Sequence, residues 1–198
     1  MKLNLTNLRS HLFITLNLFI IWLLISTLSL GLLFGPASVA LYHILFHLIR
    51  SNKRPENLFL RFKKSLVASL PTSFIYTLLM TIILLALYYT IYEFEPSLIT
   101  ILVYILFLEL TLMLLVAFPL MAVFKHHSLT HLITMAFLMS NVHALSSILI
   151  VLMLLTMGFL AWLLHPLTLL LSLPIFFYLS AWLYQRMFNH YIQETKKP

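Results

Sequence analysis

The chain has 198 residues, of which 62% are hydrophobic and only 9% charged, with a formal net charge of +7 and a mean hydropathy of +1.04. Soluble domains carry roughly 25% charged residues, so this composition excludes an ordinary water-soluble fold. Cysteine and aspartate are both absent, which removes disulfides, thiolate and aspartyl chemistry and Cys-based metal sites.

In lipid, every backbone group must find its partner within a helix or a closed barrel. Uninterrupted Leu, Ile and Phe runs without inside/outside alternation predict helices. The expected fold is therefore all-α: one polytopic transmembrane bundle covering residues 1–198, with about six spans. The first segment is 11–33. Its apolar run from Leu12 to Phe34 exceeds the roughly 7–15 residues of a cleavable signal core, so it is taken as a span. The second, 36–50, is short for a full crossing: Pro36 to Ile49 reaches about 21 Å at 1.5 Å per residue. It either crosses upright, begins below the outer surface, or is re-entrant. The remaining segments are 71–92, 97–120, 144–164 and 167–184.

With the N-terminus inside, all twelve Lys and Arg residues fall on one side, as the positive-inside rule demands. These are Lys2, Arg9, Arg50, Lys53, Arg54, Arg61, Lys63, Lys64, Lys125, Arg186, Lys196 and Lys197, whereas Glu93 and Glu95 fall outside. The expected location is the cell membrane with both termini cytoplasmic. Positive charge in short loops beside apolar spans is topological, so no nucleic acid is expected. Each outer turn has proline where a helix returns: Gly35-Pro36, Glu95-Pro96 and His165-Pro166. Proline suits the first helical turn, where its missing N–H has no partner anyway. The spans then form three hairpins, joined or followed by amphipathic cytoplasmic elbows at 56–69, 127–141 and 186–195.

The first elbow places Leu58, Phe59, Phe62, Leu66 and Ser69 on one side, with Arg61, Lys64, Ser65 and Ala68 on the other. A basic amphipathic helix beside a membrane reads as interfacial. Phe59, Arg61, Phe62, Lys63 and Lys64 are the expected contact for anionic lipid or a partner protein. The second elbow carries a polar stripe of His127, Thr130, His131, Thr134 and Asn141.

Glu109 is isolated near the middle of the fourth span. An intramembrane carboxylate is costly unless neutral or paired, and should face the protein interior. His43 in the second segment is the expected partner. The pair serves either as a helix-tying hydrogen bond or as a proton or cation relay. His127 and His131, like His43 and His47, have the i, i+4 spacing that lets two imidazoles share one ligand. Two ligands make no metal site, and none is expected. No His-Glu-x-x-His or Gly-x-Ser-x-Gly motif occurs, so no enzymatic activity and no cofactor are expected. Gly31-x-x-x-Gly35, followed by Pro36, predicts close packing of the first hairpin.

Around Asn17-Leu18, Trp22-Leu23-Leu24, Gly35-Pro36-Ala37, Ala40-Leu41-Tyr42 and Phe59-x-x-Phe62-Lys63-Lys64, the chain resembles the YesL-like family of small bacterial membrane proteins. The resemblance covers roughly residues 15–90. It implies a multi-pass plasma-membrane protein without established enzymatic activity, encoded beside carbohydrate ABC importers. The function expected from it is a non-catalytic accessory or assembly subunit of such an importer, with the lipid bilayer and other importer subunits as partners. The alternative is a small secondary transporter or channel built around Glu109.

Overall fold

The computed structural model describes residues 5–51, 57–93, 98–124, 128–165 and 168–194, and every regular element among them is an α-helix. In chain order these are α1 (Leu5–Leu28), α2 (Phe34–Ser51), α3 (Leu58–Glu93), α4 (Leu98–Val123), α5 (Leu129–Val142), α6 (Ala144–Leu163) and α7 (Thr168–Glu194). Four stretches are long and apolar enough to cross a bilayer: Ser10–Leu28 of α1, α3, α4 and α6. This is a helical bundle with membrane-spanning composition. Lys53, Arg54, Glu95, Pro96, Lys125, His127 and Pro166 lie outside the described residues.

The hub is α2, the short segment. Thirteen of its eighteen residues are buried, and it packs against α1, α3, α4 and α7. Small residues make this possible, because Gly35, Ala37, Ser38 and Ala40 let neighbouring backbones approach. At Gly35 a Cβ would collide with Thr77 Oγ1 and lie 2.9 Å from the Ser73 carbonyl oxygen of α3. Ser73 and Thr77 turn their hydroxyls back onto the carbonyls of Ser69 and Ser73, each at 2.6 Å. That satisfies the hydroxyls locally and leaves α3 smooth where α2 meets it.

The close approach at Gly35 is to α3. Gly31 packs against nothing: its φ is +84° and no atom lies within 4 Å of where a Cβ would stand. It belongs to the turn. Pro36 lies in the first turn of α2, as expected for a helix start, and is also buried.

The elbows also differ from expectation. Residues 58–69 are not a separate surface helix but the first third of α3, which runs unbroken through Pro71 to Glu93. The buried residues show why. Phe62, Leu66, Ser73, Tyr76 and Met80, with half-buried Ser69 between them, repeat at alternating spacings of four and three on both sides of the proline. Such a repeat keeps one stripe facing the bundle. Pro71 is on the exposed side, so its ring stays out of the packed stripe. The third elbow is likewise the continuous end of α7. The second, α5, folds back along α4, as its contacts below establish.

Aromatic side chains fill the junction of α1, α2 and α7. Trp22 stacks on Phe19 and meets Phe34 and Phe177 edge-on at 5.5 and 5.1 Å. Tyr42 meets Phe177 and Tyr184, and Phe46 meets Phe188, so α2 and α7 run in the same direction. The polar tips are bonded where they are buried: Trp22 Nε1 donates to Ser38 Oγ at 3.0 Å, and Tyr42 OH pairs with Ser180 Oγ at 3.0 Å. His11 Nδ1 and Tyr178 OH, 3.1 Å apart, tie α1 to α7.

Candidate functional site

Because α2 is otherwise core, its exposed residues stand out. Beyond Phe34 they are His43, His47, Arg50 and Ser51. His43, His47 and Ser51 fall at i, i+4 and i+8, which stacks them on one face. α3, antiparallel beside α2, brings Arg61 onto that face, with its Nη1 3.3 Å from His47 Nε2. A guanidinium can only donate, so His47 Nε2 accepts and its proton sits on Nδ1, 3.4 Å from Ser51 Oγ. Ser51 Oγ in turn donates to the His47 carbonyl at 2.7 Å. Arg50 on α2 and Lys63 and Lys64 on α3 are also exposed. Among the described residues, no carboxylate bonds to the His47 and Arg61 group.

Of the expected contact residues, the structure brings Arg61, Lys63, Lys64 and Phe59 to the surface. Phe59 is 64% exposed, whereas Phe62 is fully buried. Phe62 therefore cannot touch a partner and belongs to the packed stripe of α3. His47 and Arg50 are also exposed, beyond the contact residues expected from the sequence. The signal was available, since an apolar segment interrupted by polar residues every fourth position marks one solvent-facing stripe.

Glu109 is half-buried and is held from α5. Its Oε1 accepts from Asn141 Nδ2 at 2.8 Å and Ser140 Oγ at 3.2 Å. Since Glu109 lies fourteen residues before the end of α4, and Asn141 one before the end of α5, the two helices run antiparallel. The expected partner, His43, is replaced by these two. The reason is depth: Phe34 at the start of α2 already meets Phe118 edge-on at 5.9 Å, nine residues past Glu109, and His43 lies two turns further away. Ser140-Asn141, a polar pair in an apolar helix, was the legible signal for this contact.

The same donor atoms also reach the helix's own backbone, because Asn141 Nδ2 and Ser140 Oγ each lie 2.9 Å from the Phe137 carbonyl oxygen. The carboxylate thus joins α4 to the end of α5 without being the sole acceptor there. His131 and His143 add no ligand set: among the described residues no group of three His, Cys, Asp or Glu could hold a metal ion.

The chain matches no protein-family model, no curated protein and no solved structure.

Proposed function

We propose that this protein is a non-catalytic subunit of a larger membrane complex, oriented with both termini in the cytoplasm. Its basic end, built by His43, His47, Arg50 and Arg61 with Lys63 and Lys64, is the docking surface. The supporting observation is the cationic stripe on α2 and α3, exposed on the most buried helix of the bundle and bonded to no described carboxylate. A surface of exposed cationic donors suits an acidic partner loop, because charge-assisted hydrogen bonds are the stronger ones. The YesL-like resemblance of residues 15–90 makes a carbohydrate ABC importer the expected complex. The rival reading, transport through Glu109, is weakened by the commitment of that carboxylate to Ser140 and Asn141.

The test is affinity purification in gentle detergent, followed by mass spectrometry of the wild type and an Arg61→Gln/Lys63→Gln/Lys64→Gln variant. Importer permease subunits should accompany the wild type and be lost from the variant, while both insert equally. Purification free of permease, or cation flux in liposomes that Glu109→Gln abolishes, overturns the proposal.

A further inference from the structure

The turn between α1 and α2 has the make-up of a segment that lies in hydrocarbon. Leu28, Leu30, Leu32 and Phe34 are exposed, Leu30 at 92%, and no charged residue interrupts them. Turns in water favour Gly, Pro, Asn and Asp. In lipid, a turn must also satisfy its own backbone donors, since no water reaches them.

This turn does so throughout. The Ser29 N–H donates to Ile25 O, Leu30 to Thr27 O, Gly31 to Ser26 O, Leu32 to Ser29 O and Phe34 to Gly31 O, all between 2.8 and 3.1 Å. The remaining donor, Leu33 N–H, reaches Ser29 Oγ at 3.1 Å.

Depth gives an independent argument. The tip meets α3 at Ser73 and Thr77 and α4 at Phe118. From Thr77, α3 continues sixteen residues to Glu93, about 24 Å. From Phe118, α4 reaches back twenty residues to Leu98, about 30 Å along its axis. Only five residues, about 8 Å, separate Phe118 from the other end of α4 at Val123. If α3 and α4 cross the bilayer, the tip stops far short of the outer surface.

We propose that α1 and α2 form a re-entrant hairpin, which enters from the cytoplasmic side and turns inside the bilayer with its leucines against lipid acyl chains. The charge pattern is kept, because a hairpin returns to the side it came from whether or not it reaches the other. A short, strongly buried α2 is then expected, since it never has to traverse the whole membrane.

The absence of native cysteine makes the test direct. Leu30→Cys, with Leu32→Cys as a second site, is compared with Tyr92→Cys and Ser51→Cys by reaction with a membrane-impermeant maleimide. Intact cells and inverted vesicles are both probed. Tyr92→Cys should react from outside and Ser51→Cys from inside. The tip cysteines should stay at the background of the cysteine-free chain from both sides and react after detergent is added. A nitroxide at either tip position, in phosphatidylcholine nanodiscs, should be relaxed by oxygen and protected from an aqueous nickel chelate. Labelling of the tip from outside overturns the proposal in favour of a full crossing. Labelling from inside, or a nitroxide shielded from oxygen as well as nickel, overturns it by placing the tip in water or within protein.

Discussion

Two apolar stretches of this chain are packed in opposite ways. In α2, thirteen residues are buried, and His and Arg mark its exposed face. In the first eleven residues of α4, Thr100 alone is buried, while Leu98, Ile99, Ile101, Leu102, Tyr104, Ile105, Leu106 and Leu108 are exposed. The second half of α6 resembles that region, with Leu155, Phe159, Trp162 and Leu163 exposed. Burial here does not follow apolarity. Lipid tails are as apolar as leucine, so exposing leucine to them costs nothing, and helices associate where small residues permit close contact and polar tips find partners. α2 offers Gly35, Ala37, Ser38 and Ala40; the first half of α4 offers mostly bulk.

The comparison breaks most visibly at glycine. Gly35→Ala should destabilise by about 1–3 kcal/mol, and Gly35→Leu by about 3 kcal/mol or more, through overpacking against the α3 backbone. Gly158→Leu, in the exposed second half of α6 with nothing within 4 Å of its Cβ, should cost nothing and gain about 0.5–1 kcal/mol from helix propensity. Thermal aggregation of the detergent-solubilised protein, followed by size exclusion, reads both. Adding Thr77→Ala to Gly35→Ala should recover part of the loss, because it removes one of the two colliding groups. Equal tolerance at the two glycines would erase the distinction between hub and periphery.

Much of this was legible in the sequence, though unevenly. Helical class and membrane composition follow from apolar runs, which depend only on local chemistry. Pro36 as a helix start was legible for the same reason. Depth was not. Whether a 14-residue apolar stretch crosses depends on which part of α3 it packs against, and that is fixed by Gly35 meeting Ser73 and Thr77. The amphipathic character of 58–69 was visible, but its continuation through Pro71 was not, because a proline reads locally as a boundary. Glu109 was recognised as needing a partner. Choosing Asn141 over His43 required knowing that α5 folds back along α4.

A smaller effect is expected at that carboxylate. Glu109→Gln keeps an oxygen able to accept from Ser140 and Asn141, so stability should be nearly unchanged. Glu109→Leu removes the acceptor, but both donors retain the Phe137 carbonyl. The loss should then be about 0.6–1.7 kcal/mol, the range of single interhelical hydrogen bonds in membranes. A larger loss would mean that Glu109 holds the hub together, and the division between the packed α2 region and its surroundings would have to be redrawn.

The finest test compares Gly and Ala at two positions where opposite preferences are expected. Leu30 occupies the left-handed region at φ 52°, and the Gly31 N–H to Ser26 O and Leu30 N–H to Thr27 O bonds identify a Schellman stop for α1. A side chain there costs about 1–2 kcal/mol that glycine avoids. Replacing Leu30 also forfeits roughly 0.3–0.6 kcal/mol of favourable lipid transfer, so the informative comparison is between two variants that both lose the leucine. Leu30→Gly should be more stable than Leu30→Ala by about 1 kcal/mol. At Gly158, inside α6, the order reverses, and Gly158→Ala should gain about 0.5–1 kcal/mol from helix propensity. If Ala and Gly are equivalent at position 30, the backbone there is not held left-handed. The internally bonded turn on which the re-entrant tip depends would then lose its footing, while the packing of α2 against α3 would stand.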